Sequence, residues 1–472
     1  MINCSLAVDI GASSGRVVAG FLEKEKMRIV EIHRFDNTMM KKNNHFCWNL
    51  EFLFKEIKAG IHKCPQRGLK PESIGIDTWA VDFVLLDEND ELLTDAVAYR
   101  DSRTDGMMEK VFEKVNRDKL YLETGIQFQK FNTIYQLYWI KKNEPKILEQ
   151  AKTFLMIPDY LNFLLTNKKA NEYTNASSTQ LVNAFSKEWD KELLDSIGIN
   201  KEMFQEILQP KEVLGGLRKD LVEEFGFDMK VLLPATHDTA SAVVAMPELD
   251  DTIYISSGTW SLIGVENSFP ICISKAQHYN FTNEGGMDHR FRFLKNIMGL
   301  WMIQEVKRKY DNYYSFTEIA ELAEQETTFH SIVNVDDNRF LKPEDMIQEI
   351  KNYCEETYQA VPETVGQIAK CVFVSLAFSY QEAINQIEEI YEKKYKKINV
   401  IGGGSKNKML NQLIADQSGK EVIAGPVEAT AIGNLAAQLI SLGQINGLNE
   451  ARSVIKNSFE TKSYTSKKKV EG

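Results

Sequence analysis

The first forty residues alternate short strand-like runs with turns: "SLAVDI", "GASSG", "RVVAGFL" and "RIVEIHRF". Apolar runs of this kind separated by turn residues predict a sheet built from antiparallel hairpins. Apolar positions then recur at helical spacing between residues 50 and 61, at Leu50, Leu53, Phe54, Ile57 and Ile61. The run "ESIGIDT" follows and reads as a buried strand. A helix that crosses to a further strand makes the predicted sheet a mixed α/β sheet.

Residues 110–196 are rich in helical spacing and aromatic side chains, as in "NTIYQLYWIKK" and "PDYLNFLLT".

The pattern of strand, turn and strand begins again in the second half of the chain. "DTIYISSGTWSLIGVE" then repeats the strand, polar turn and strand of "LAVDIGASSGRVVAGF", and "INVIGGGSKNKMLNQLIADQSGKEVIAG" reads as strand, glycine turn, helix and strand. We predict two related α/β domains, residues 1–246 and 247–472, with the boundary near 245–252 and no long flexible linker.

Composition narrows the class of protein. The chain has 472 residues, of which 43% are hydrophobic, enough for globular cores. The net charge of -11, with both signs interspersed, argues against a broad nucleic-acid surface. No apolar run approaches the ~20 residues that span a bilayer, and "MINCSLAVDIG" lacks the charged and apolar regions of a signal peptide. We therefore expect a cytoplasmic protein without nucleic-acid or membrane partners.

The six cysteines form no C-x-x-C pair and show no zinc spacing. They are expected to be small buried side chains in a reducing compartment. Whether Cys354 and Cys371 pair stays open, because that depends on two helices meeting.

The turn "VDIGASSGR" is a candidate phosphate site. Its two glycines allow a backbone that presents successive N–H groups, with the Ser13 and Ser14 hydroxyls, to an anion. Asp9 at the strand end is a candidate for holding the waters of Mg²⁺, and Arg16 for stabilising transferred charge. The alternative is an ordinary glycine hairpin with an aspartate in its turn.

Two further turns in the second half have related chemistry. Ser256–Thr259 again offers hydroxyls at a strand-turn-strand corner, which suits a second contact to the same phosphates. Neither turn matches the P-loop pattern. Gly402–Gly404 leaves room for a flat ligand such as adenosine, with Ser405 or Asn407 capping the next helix. A triple glycine is also a common strand-to-helix connector, and its spacing differs from the dinucleotide fingerprint.

Polar residues interrupt the apolar stretch "VLLPATHDTASAVVAMP". A carboxylate in such surroundings must be hydrogen-bonded, ion-paired or partly solvated in a cleft. Phosphoryl transfer to a hydroxyl needs a group that positions the hydroxyl and accepts its proton, and Asp238 suits that role. His237 is a candidate donor to a sugar oxygen. The alternative is that Asp238 is only a helix N-cap, while Thr239 and Ser241 are also candidate caps.

The chain resembles the FGGY carbohydrate kinases of the actin-like ATPase superfamily over roughly residues 4–443. The resemblance rests on "AVDIGASSGRV", "EYTNASSTQLVN", "HDTASAV", "SSGTWSL", "TNEGG" and "VIGGGSKNKMLNQLIAD". It implies an α/β fold of two actin-like (ribonuclease H-like) domains, with mixed sheets flanked by helices and an ATP/sugar cleft between them. The blocks "DTWAVDFVLL", "YRDSRT" and "LKNIMGLW" are similar to those of members that phosphorylate L-rhamnulose.

The resemblance also implies site residues. The expected ATP contacts are Ala12, Ser13, Ser14, Gly15, Arg16, Thr259, Gln304 and Gly402 or Gly403. Asp238 is the expected proton acceptor, and the expected ketose contacts are His237, Asp238, Thr239, Asn296, Trp79, Ala80 and Asp82. The family commonly has glycine at the position of Ala80, so an added methyl narrows the pocket or alters a backbone angle there. The alternatives are structural roles: a core aromatic for Trp79, a turn for Asp82, and helix positions for Asn296 and Gln304.

The activity that the resemblance implies is ATP- and Mg²⁺-dependent phosphorylation of L-rhamnulose to L-rhamnulose 1-phosphate in L-rhamnose catabolism, by a monomer or homodimer. Two alternatives remain open. One is a kinase of the same family that acts on xylulose, fuculose or glycerol. The other is a non-catalytic sugar or ATP sensor, which would not release ADP in response to added sugar.

Overall fold

The computed structural model describes residues 1–247 and 251–467. Residues 248–250, in the predicted boundary region, and 468–472 lie outside the described residues. The chain forms two compact units that alternate along the sequence. Unit 1 holds Met1–Pro247, Glu266–Phe293 and Ala429–Ser458, and unit 2 holds the described residues of Glu248–Val265, Leu294–Glu428 and Phe459–Gly472. Within the described ranges, every helix is too short or too polar to cross a membrane.

The described residues begin with five consecutive strands, and strands and helices of varied length follow. The strands of the described residues are β1 (Ile2–Ile10), β2 (Ser14–Glu23), β3 (Lys26–Asp36), β4 (Met40–Lys42), β5 (His45–Trp48), β6 (Leu69–Thr78), β7 (Phe83–Leu86), β8 (Ala96–Val97), β9 (Thr153–Met156), β10 (Asn171–Glu172), β11 (Ile207–Leu208), β12 (Val213–Gly216), β13 (Lys230–Leu232), β14 (Thr252–Ser257), β15 (Trp260–Asn267), β16 (Thr282–Gly285), β17 (Phe291–Met298), β18 (Lys397–Ile401), β19 (Glu421–Ala424) and β20 (Lys462–Tyr464). The α-helices are α1 (Leu50–Gln66), α2 (Met107–Phe112), α3 (Arg117–Thr124), α4 (Thr133–Asn143), α5 (Pro145–Gln150), α6 (Ile157–Thr166), α7 (Tyr173–Ala176), α8 (Lys191–Ile197), α9 (Lys219–Phe225), α10 (Asp238–Val244), α11 (Ser274–His278), α12 (Trp301–Lys309), α13 (Phe316–Gln325), α14 (Met346–Glu356), α15 (Val365–Tyr391), α16 (Lys408–Ser418), α17 (Ala429–Ser441) and α18 (Leu448–Ser458).

The main sheet of unit 1 has the strand order β12-β13-β6-β1-β2-β3. β1 pairs antiparallel with β2, and β2 pairs antiparallel with β3, which confirms the predicted hairpins. On its other side β1 pairs parallel with β6, reached through α1, and β6 pairs parallel with β13. The sheet is therefore mixed, as the helical crossover in the sequence predicts.

Unit 2 repeats this local arrangement. β14 pairs antiparallel with β15 on one side and parallel with β18 on the other, and β18 pairs parallel with β19. This confirms the predicted strand-turn-strand and strand-glycine-helix-strand segments. The same hairpin-plus-crossover topology in both units supports the prediction of two related halves.

Close packing places α17 against the unit 1 sheet. Gly75 on β6 leaves room for Asn434 and Gln438 of α17, because an added Cβ would lie 2.8 Å from Asn434 Oδ1 and 2.9 Å from Gln438 Nε2. Gln438 Nε2 donates to Leu6 O at 2.8 Å, and Ser73 Oγ donates to Gln438 Oε1 at 2.7 Å. A buried polar network thus joins the helix to the centre of the sheet.

The two cysteines left open by the sequence lie on neighbouring helices of unit 2. Cys354 on α14 and Cys371 on α15 are buried free thiols in hydrogen-bond contact. That contact lowers the pKa of Cys354 and raises the pKa of Cys371. The helices therefore do bring the two thiols together.

Candidate active site

Three charged side chains form one row across the centre of the unit 1 sheet. Asp9 on β1 is in register with Arg16 on β2 and with Asp77 on β6. Arg16 Nη2 donates to Asp9 Oδ2 at 2.6 Å. Asp77 is fully buried and accepts from Asn434 Nδ2 at 2.5 Å. Burial raises the pKa of Asp77 well above its ordinary value, and the charges of Asp9 and Asp238 add to the rise.

Asp77 is not among the residues that the sequence predicts for the site. Its signal is an acidic residue inside the otherwise apolar strand "SIGIDT". A buried carboxylate in a central strand has a cost unless its surroundings compensate it, so such a residue is a candidate for a site.

The turn between β1 and β2 is hydrogen-bonded to one residue that follows β3. Asn37 Nδ2 donates to Gly11 O at 2.8 Å, and its backbone N donates to Ser13 O at 3.0 Å. The Phe35 ring occupies the space that a Cβ at Gly15 would need. The predicted nucleotide contacts of this turn are exposed or half-buried apart from the buried glycine: Ala12, Ser13, Ser14, Gly15 and Arg16.

Asp238 is the first residue of α10, and 29% of its side chain is exposed. His237 pairs with Thr78 at the end of β6, which places Asp238 beside the row of charges. Asp238 Oδ1 accepts from Thr239 N at 2.5 Å and from Thr239 Oγ1 at 3.1 Å. Burial raises the pKa of Asp238, His237 opposes the rise and Asp9 adds to it. The carboxylate is accessible and a better base than an ordinary aspartate.

Three of the structural roles that the sequence left open for these residues are wrong. The N-cap of α10 is His237, so Asp238 is not the N-cap, and Thr239 and Ser241 lie inside the helix and do not cap it. Asn296 lies in strand β17 and not in a helix. In each case helical spacing in the sequence did not locate the end of the element, which tertiary pairing decides.

A buried cluster lies behind His237. Arg292 Nη2 lies 3.0 Å from His237 Nδ1 and 3.0 Å from Glu284 Oε2. Glu284 Oε2 lies 3.2 Å from His237 Nδ1, and His237 Nε2 lies 3.5 Å from Asp238 Oδ1. Although burial opposes it, the charge of Arg292 holds the pKa of Glu284 below its ordinary value. Glu284 and Arg292 are not sequence-predicted site residues; the only signal is the "TNEGG" block.

Asp82 is fully buried and accepts four hydrogen bonds. The donors are Trp48 Nε1 at 2.7 Å, Trp79 Nε1 at 2.9 Å, Gln136 Nε2 at 3.1 Å and Tyr99 N at 3.1 Å. Burial raises the pKa of Asp82 to about 6, and these bonds oppose the rise. The Trp48 and Trp79 rings lie 4.2 Å apart, centroid to centroid. The carboxylate therefore orients two indole rings, and Trp48 joins the residues that the sequence did not single out.

The segment after Trp79 has one unusual backbone angle, and it is at Val81. Val81 has φ +65°, whereas Ala80 is outside the left-handed region. Val81 O accepts from Thr133 Oγ1 at 2.7 Å and from Gln136 Nε2 at 3.2 Å. A β-branched residue is rare at positive φ and is retained where surrounding bonds hold it. The Ala80 methyl is therefore compatible with the backbone.

In unit 2 the second hydroxyl-rich turn lies against the start of α12. Leu300 N donates to Gly258 O at 3.0 Å, and Trp301 N donates to Thr259 O at 3.1 Å. Gln304, one turn further along α12, is half-buried, as is Thr259. Helix α12 carries Gln304 and is itself hydrogen-bonded to the turn, so Gln304 has a defined position relative to Thr259.

The triple glycine packs closely on the end of β14. Gly402 has φ +81°, and an added Cβ at Gly404 would lie 2.5 Å from Ser257 Cβ. Gly403 is exposed, with no atom within 4 Å of its added Cβ. Asn407 caps α16 through its side chain, as the sequence predicts. Two glycines are therefore needed by the fold, while Gly403 leaves open space.

The structure brings the predicted residues together in two groups. In unit 1 Asp9, Arg16, His237, Asp238 and Thr239 meet near the end of β6, and Trp79, Ala80 and Asp82 directly follow that strand. In unit 2 the turn with Thr259 contacts α12, which carries Gln304, and its preceding strand contacts the Gly402–Gly404 turn. Asn296 lies half-buried on β17 of unit 2.

In the described part of the chain, no three His, Cys, Asp or Glu side chains form a ready metal cluster. Mg²⁺ retains several waters and takes one or two carboxylates together with substrate phosphates. Asp9, with Asp238 in electrostatic reach, matches that donor set. The residues present therefore fit a Mg²⁺ ion held partly by a nucleotide.

Comparison with known proteins decides the family. The N-terminal domain model of the FGGY family of carbohydrate kinases matches residues 4–245, and its C-terminal domain model matches residues 253–442. The chain belongs to the FGGY family of carbohydrate kinases. Among its curated relatives, the FGGY kinase is 63% identical to a rhamnulokinase of Halalkalibacterium halodurans, covering 98% of this chain and 99% of the relative. It is 46% identical to a rhamnulokinase of Bacillus subtilis, covering 98% and 95%.

Solved structures of two other kinases share the fold. A xylulose kinase from Lactobacillus acidophilus matches with a TM-score of 0.80 at 18% identity, covering 98% of this chain and 94% of that chain. A Plasmodium falciparum glycerol kinase with ADP matches with a TM-score of 0.79 at 15% identity, covering 99% and 94%. These likenesses confirm the predicted two-domain α/β fold of this FGGY kinase.

Proposed function

We propose that this FGGY kinase transfers the γ-phosphoryl group of ATP to L-rhamnulose, forming L-rhamnulose 1-phosphate and ADP. The full-length 63% identity to a curated rhamnulokinase supports this substrate. Accessible Asp238 beside the charged row in unit 1 supports the chemistry, and it is the structural observation that carries the proposal.

Asp238 acts as general base. It accepts the proton of the primary hydroxyl while that oxygen forms a bond to the γ-phosphorus and the bond from phosphorus to ADP breaks. A raised carboxyl pKa strengthens the base, and the remaining exposed surface lets a hydroxyl approach. His237 and Thr239 contact the ketose, with Trp79, Ala80 and Asp82 in the adjoining segment. Since Asp82 is enclosed by four donors, its contribution is to hold the indole rings.

The nucleotide contacts are proposed for each unit separately. In unit 1 the backbone N–H groups and hydroxyls of Ala12–Arg16 bind phosphate oxygens. In unit 2 Thr259 and Gln304 bind the nucleotide beside the N-terminus of α12, and Gly402 and Gly403 leave space for adenosine. Asn296 is proposed as a ketose contact.

Mg²⁺ is the proposed second cofactor. Asp9 would hold the ion, mainly through its waters, and the ion neutralises phosphate charge when bound. Arg16 holds Asp9 in place through its ion pair at 2.6 Å.

The remaining assignments are also proposals. Residues 1–246 are proposed as the sugar-binding domain and residues 247–472 as the nucleotide-binding domain. The ranges of the two family models, 4–245 and 253–442, support the boundary between them. We propose a cytoplasmic monomer or homodimer whose partners are its small-molecule substrates.

A coupled assay of ADP release tests the activity. L-rhamnulose, L-fuculose, D-xylulose and glycerol are each added with ATP and Mg²⁺. We expect kcat/KM to be highest for L-rhamnulose, by about tenfold or more, because a pocket discriminates through unmatched polar groups. A higher kcat/KM for another of these substrates, or a rate of ADP release that does not depend on added sugar, contradicts the proposal.

A further inference from the structure

Arg292 and Glu284 form a buried ion pair that has no role in the sugar contacts or in the proton transfer proposed above. Arg292 is fully buried, and its Nε donates to Gly285 O at 2.8 Å. Its Nη2 lies 3.0 Å from Glu284 Oε2. A buried charged pair has a desolvation cost that a well-packed apolar pair avoids. Stability alone therefore does not explain why this pair is present. The atom that both side chains share is His237 Nδ1, at 3.0 Å from Arg292 Nη2 and 3.2 Å from Glu284 Oε2.

The chemistry of the guanidinium decides the state of the ring. Arginine has hydrogen-bond donors and no acceptor. A hydrogen bond across the 3.0 Å between Arg292 Nη2 and His237 Nδ1 therefore requires Nδ1 to accept through its lone pair. An imidazole whose Nδ1 accepts is neutral and carries its proton on Nε2.

The charge of Arg292 favours a neutral ring, whereas the Asp238 carboxylate, 3.5 Å from Nε2, acts in the opposite sense. Glu284 is ionised, since Arg292 overcomes the effect of burial on the pKa of Glu284. The Arg292–Glu284 pair is thus neutral as a unit, and an imidazolium would add a second positive charge 3.0 Å from the guanidinium. In the competing arrangement an Nδ1–H donates to Glu284 Oε2 at 3.2 Å, an oxygen that can also accept from Arg292. That arrangement places two hydrogen-bond donors, His237 Nδ1 and Arg292 Nη2, only 3.0 Å apart.

The opposite ring nitrogen points toward the proposed base. His237 Nε2 lies 3.5 Å from Asp238 Oδ1, longer than an ordinary hydrogen bond. Within residues 1–247 and 251–467 the Nε2 proton has no closer acceptor. It is therefore free to bind an oxygen that arrives beside Asp238.

We propose that Arg292 and Glu284 are positioning residues that hold His237 as the neutral Nε2–H tautomer, so that it donates a hydrogen bond to an oxygen of the ketose. This inference rests on the proposed function and names the donor state of its site. Local packing fixes the pair: Gly285 N donates to Ser177 Oγ at 2.7 Å, and an added Cβ at Gly285 would lie 2.6 Å from the Tyr173 ring. The strand that carries Glu284 is therefore closely packed at the next residue, Gly285.

Nitrogen NMR of the full-length protein, labelled with ¹⁵N-histidine, reads the tautomer directly. The sample holds no sugar or nucleotide, and His237→Gln identifies the signals of His237 among the seven histidines. We expect an unprotonated Nδ1 and a protonated Nε2 near neutral pH. A protonated Nδ1, in either the other tautomer or the imidazolium, overturns the inference.

Two variants test the pair. Arg292→Met leaves Glu284 beside Nδ1 at 3.2 Å, so the proton should move to Nδ1 and donate to that carboxylate. If the unpaired charge prevents folding, the double variant Arg292→Met/Glu284→Met removes both charges and should give a mixture of tautomers. In either variant kcat/KM for L-rhamnulose should fall about ten- to hundredfold, as expected for one lost substrate hydrogen bond, while KM for ATP is unchanged.

The matched control is the other buried Arg–Glu pair of unit 1. Arg452 Nη2 lies 2.9 Å from Glu266 Oε2 and both side chains are almost fully buried. Arg452→Met/Glu266→Met should lower stability and leave the His237 tautomer and KM for L-rhamnulose unchanged. If the Arg292 variants keep the Nε2–H tautomer or match this control in kinetics, the inference is wrong. Wild-type protein that fails to phosphorylate L-rhamnulose would reject the proposed function, while the NMR spectrum would still decide the tautomer.

Discussion

Asp77 lies beside Asp9 as its register partner on the neighbouring parallel strand, and the two carboxylates share one positive partner, Arg16. Arg16 is ion-paired with Asp9 at 2.6 Å. Asp77 is buried and is held by Asn434. Two adjacent carboxylates of this kind are ionised together only at a cost in free energy.

Stability should reflect that cost. The raised pKa of Asp77 means that the folded state holds a proton more tightly than the unfolded state. Between the ordinary aspartate pKa of 3.8 and the raised value, the free energy of unfolding therefore falls as pH rises. Asp77→Asn removes this loss, so in urea unfolding the variant should gain stability relative to wild type as pH rises above the ordinary aspartate pKa of 3.8.

Asp87→Asn is the control for Asp77→Asn because the pKa of Asp87 is shifted in the opposite direction, so its effect on stability should have the opposite pH dependence. Backbone bonds from residues 91 and 89 lower the pKa of Asp87, so its stabilisation is present above the ordinary pKa and lost as pH falls. A stability difference between Asp77→Asn and wild type that does not change with pH would contradict the interpretation of Asp77.

Asp238→Asn tests the proposed base. The amide cannot accept the hydroxyl proton, so kcat should fall by about 10²–10⁴-fold. Binding of ATP, measured by calorimetry, should be retained, because the substitution removes one proton acceptor and no nucleotide contact. Asp195→Asn, at a side chain 62% exposed and distant in sequence, should keep full activity. Near-normal turnover in Asp238→Asn would rule out Asp238 as the base.

The triple glycine offers a matched pair of substitutions. Gly404→Ala would place a Cβ 2.5 Å from Ser257 Cβ, so it should lower the melting temperature and the activity together. Gly403→Ala meets no atom within 4 Å, so it should leave the melting temperature unchanged. If adenosine occupies that space, Gly403→Ala raises KM for ATP and spares KM for L-rhamnulose. An unchanged KM for ATP would place adenosine elsewhere.

Removing Asp82 should damage the ring pair and the protein's stability. Asp82→Ala removes the acceptor of Trp48 Nε1 and of Trp79 Nε1, whereas Gln136 Nε2 still donates to Val81 O and Phe131 O. Each unsatisfied buried donor costs about 1–3 kcal/mol, so the free energy of unfolding should fall by roughly 3 kcal/mol or more. Tryptophan fluorescence should change as the indoles lose their partner. Asp105→Ala, which removes an exposed ion pair with Lys130, should cost less than about 1 kcal/mol.

Much of the fold could be predicted locally. The hairpins at the start of each half, the crossover helix from Leu50 and the strand-glycine-helix segment after residue 397 follow from spacing that short windows contain. The ends of elements were less predictable: α10 begins at Asp238 with His237 as its cap, and Asn296 lies in a strand. The reason is that pairing with distant strands decides where an element stops.

The candidate site divides in the same way. Asp9, Arg16, Asp238 and the glycine turns carry their own signal, because polar or flexible residues interrupt apolar runs. Glu284, Arg292 and Trp48 carry almost none, since an acidic, basic or aromatic residue in a strand is ordinary in any single window. Their roles come from contacts with residues far along the chain, such as His237 and Asp82.

By itself the sequence determined the alternation of strands and helices, the two related halves and the family, because these are written in local periodicity and in short motifs. Only the tertiary structure decided that Asp77 lies beside Asp9, that Arg292 lies 3.0 Å from His237, and that Asp82 accepts hydrogen bonds from two indoles. Sheet register and chain packing set those neighbours, and burial raises the pKa of the Asp77 and Asp82 carboxyls above the ordinary value.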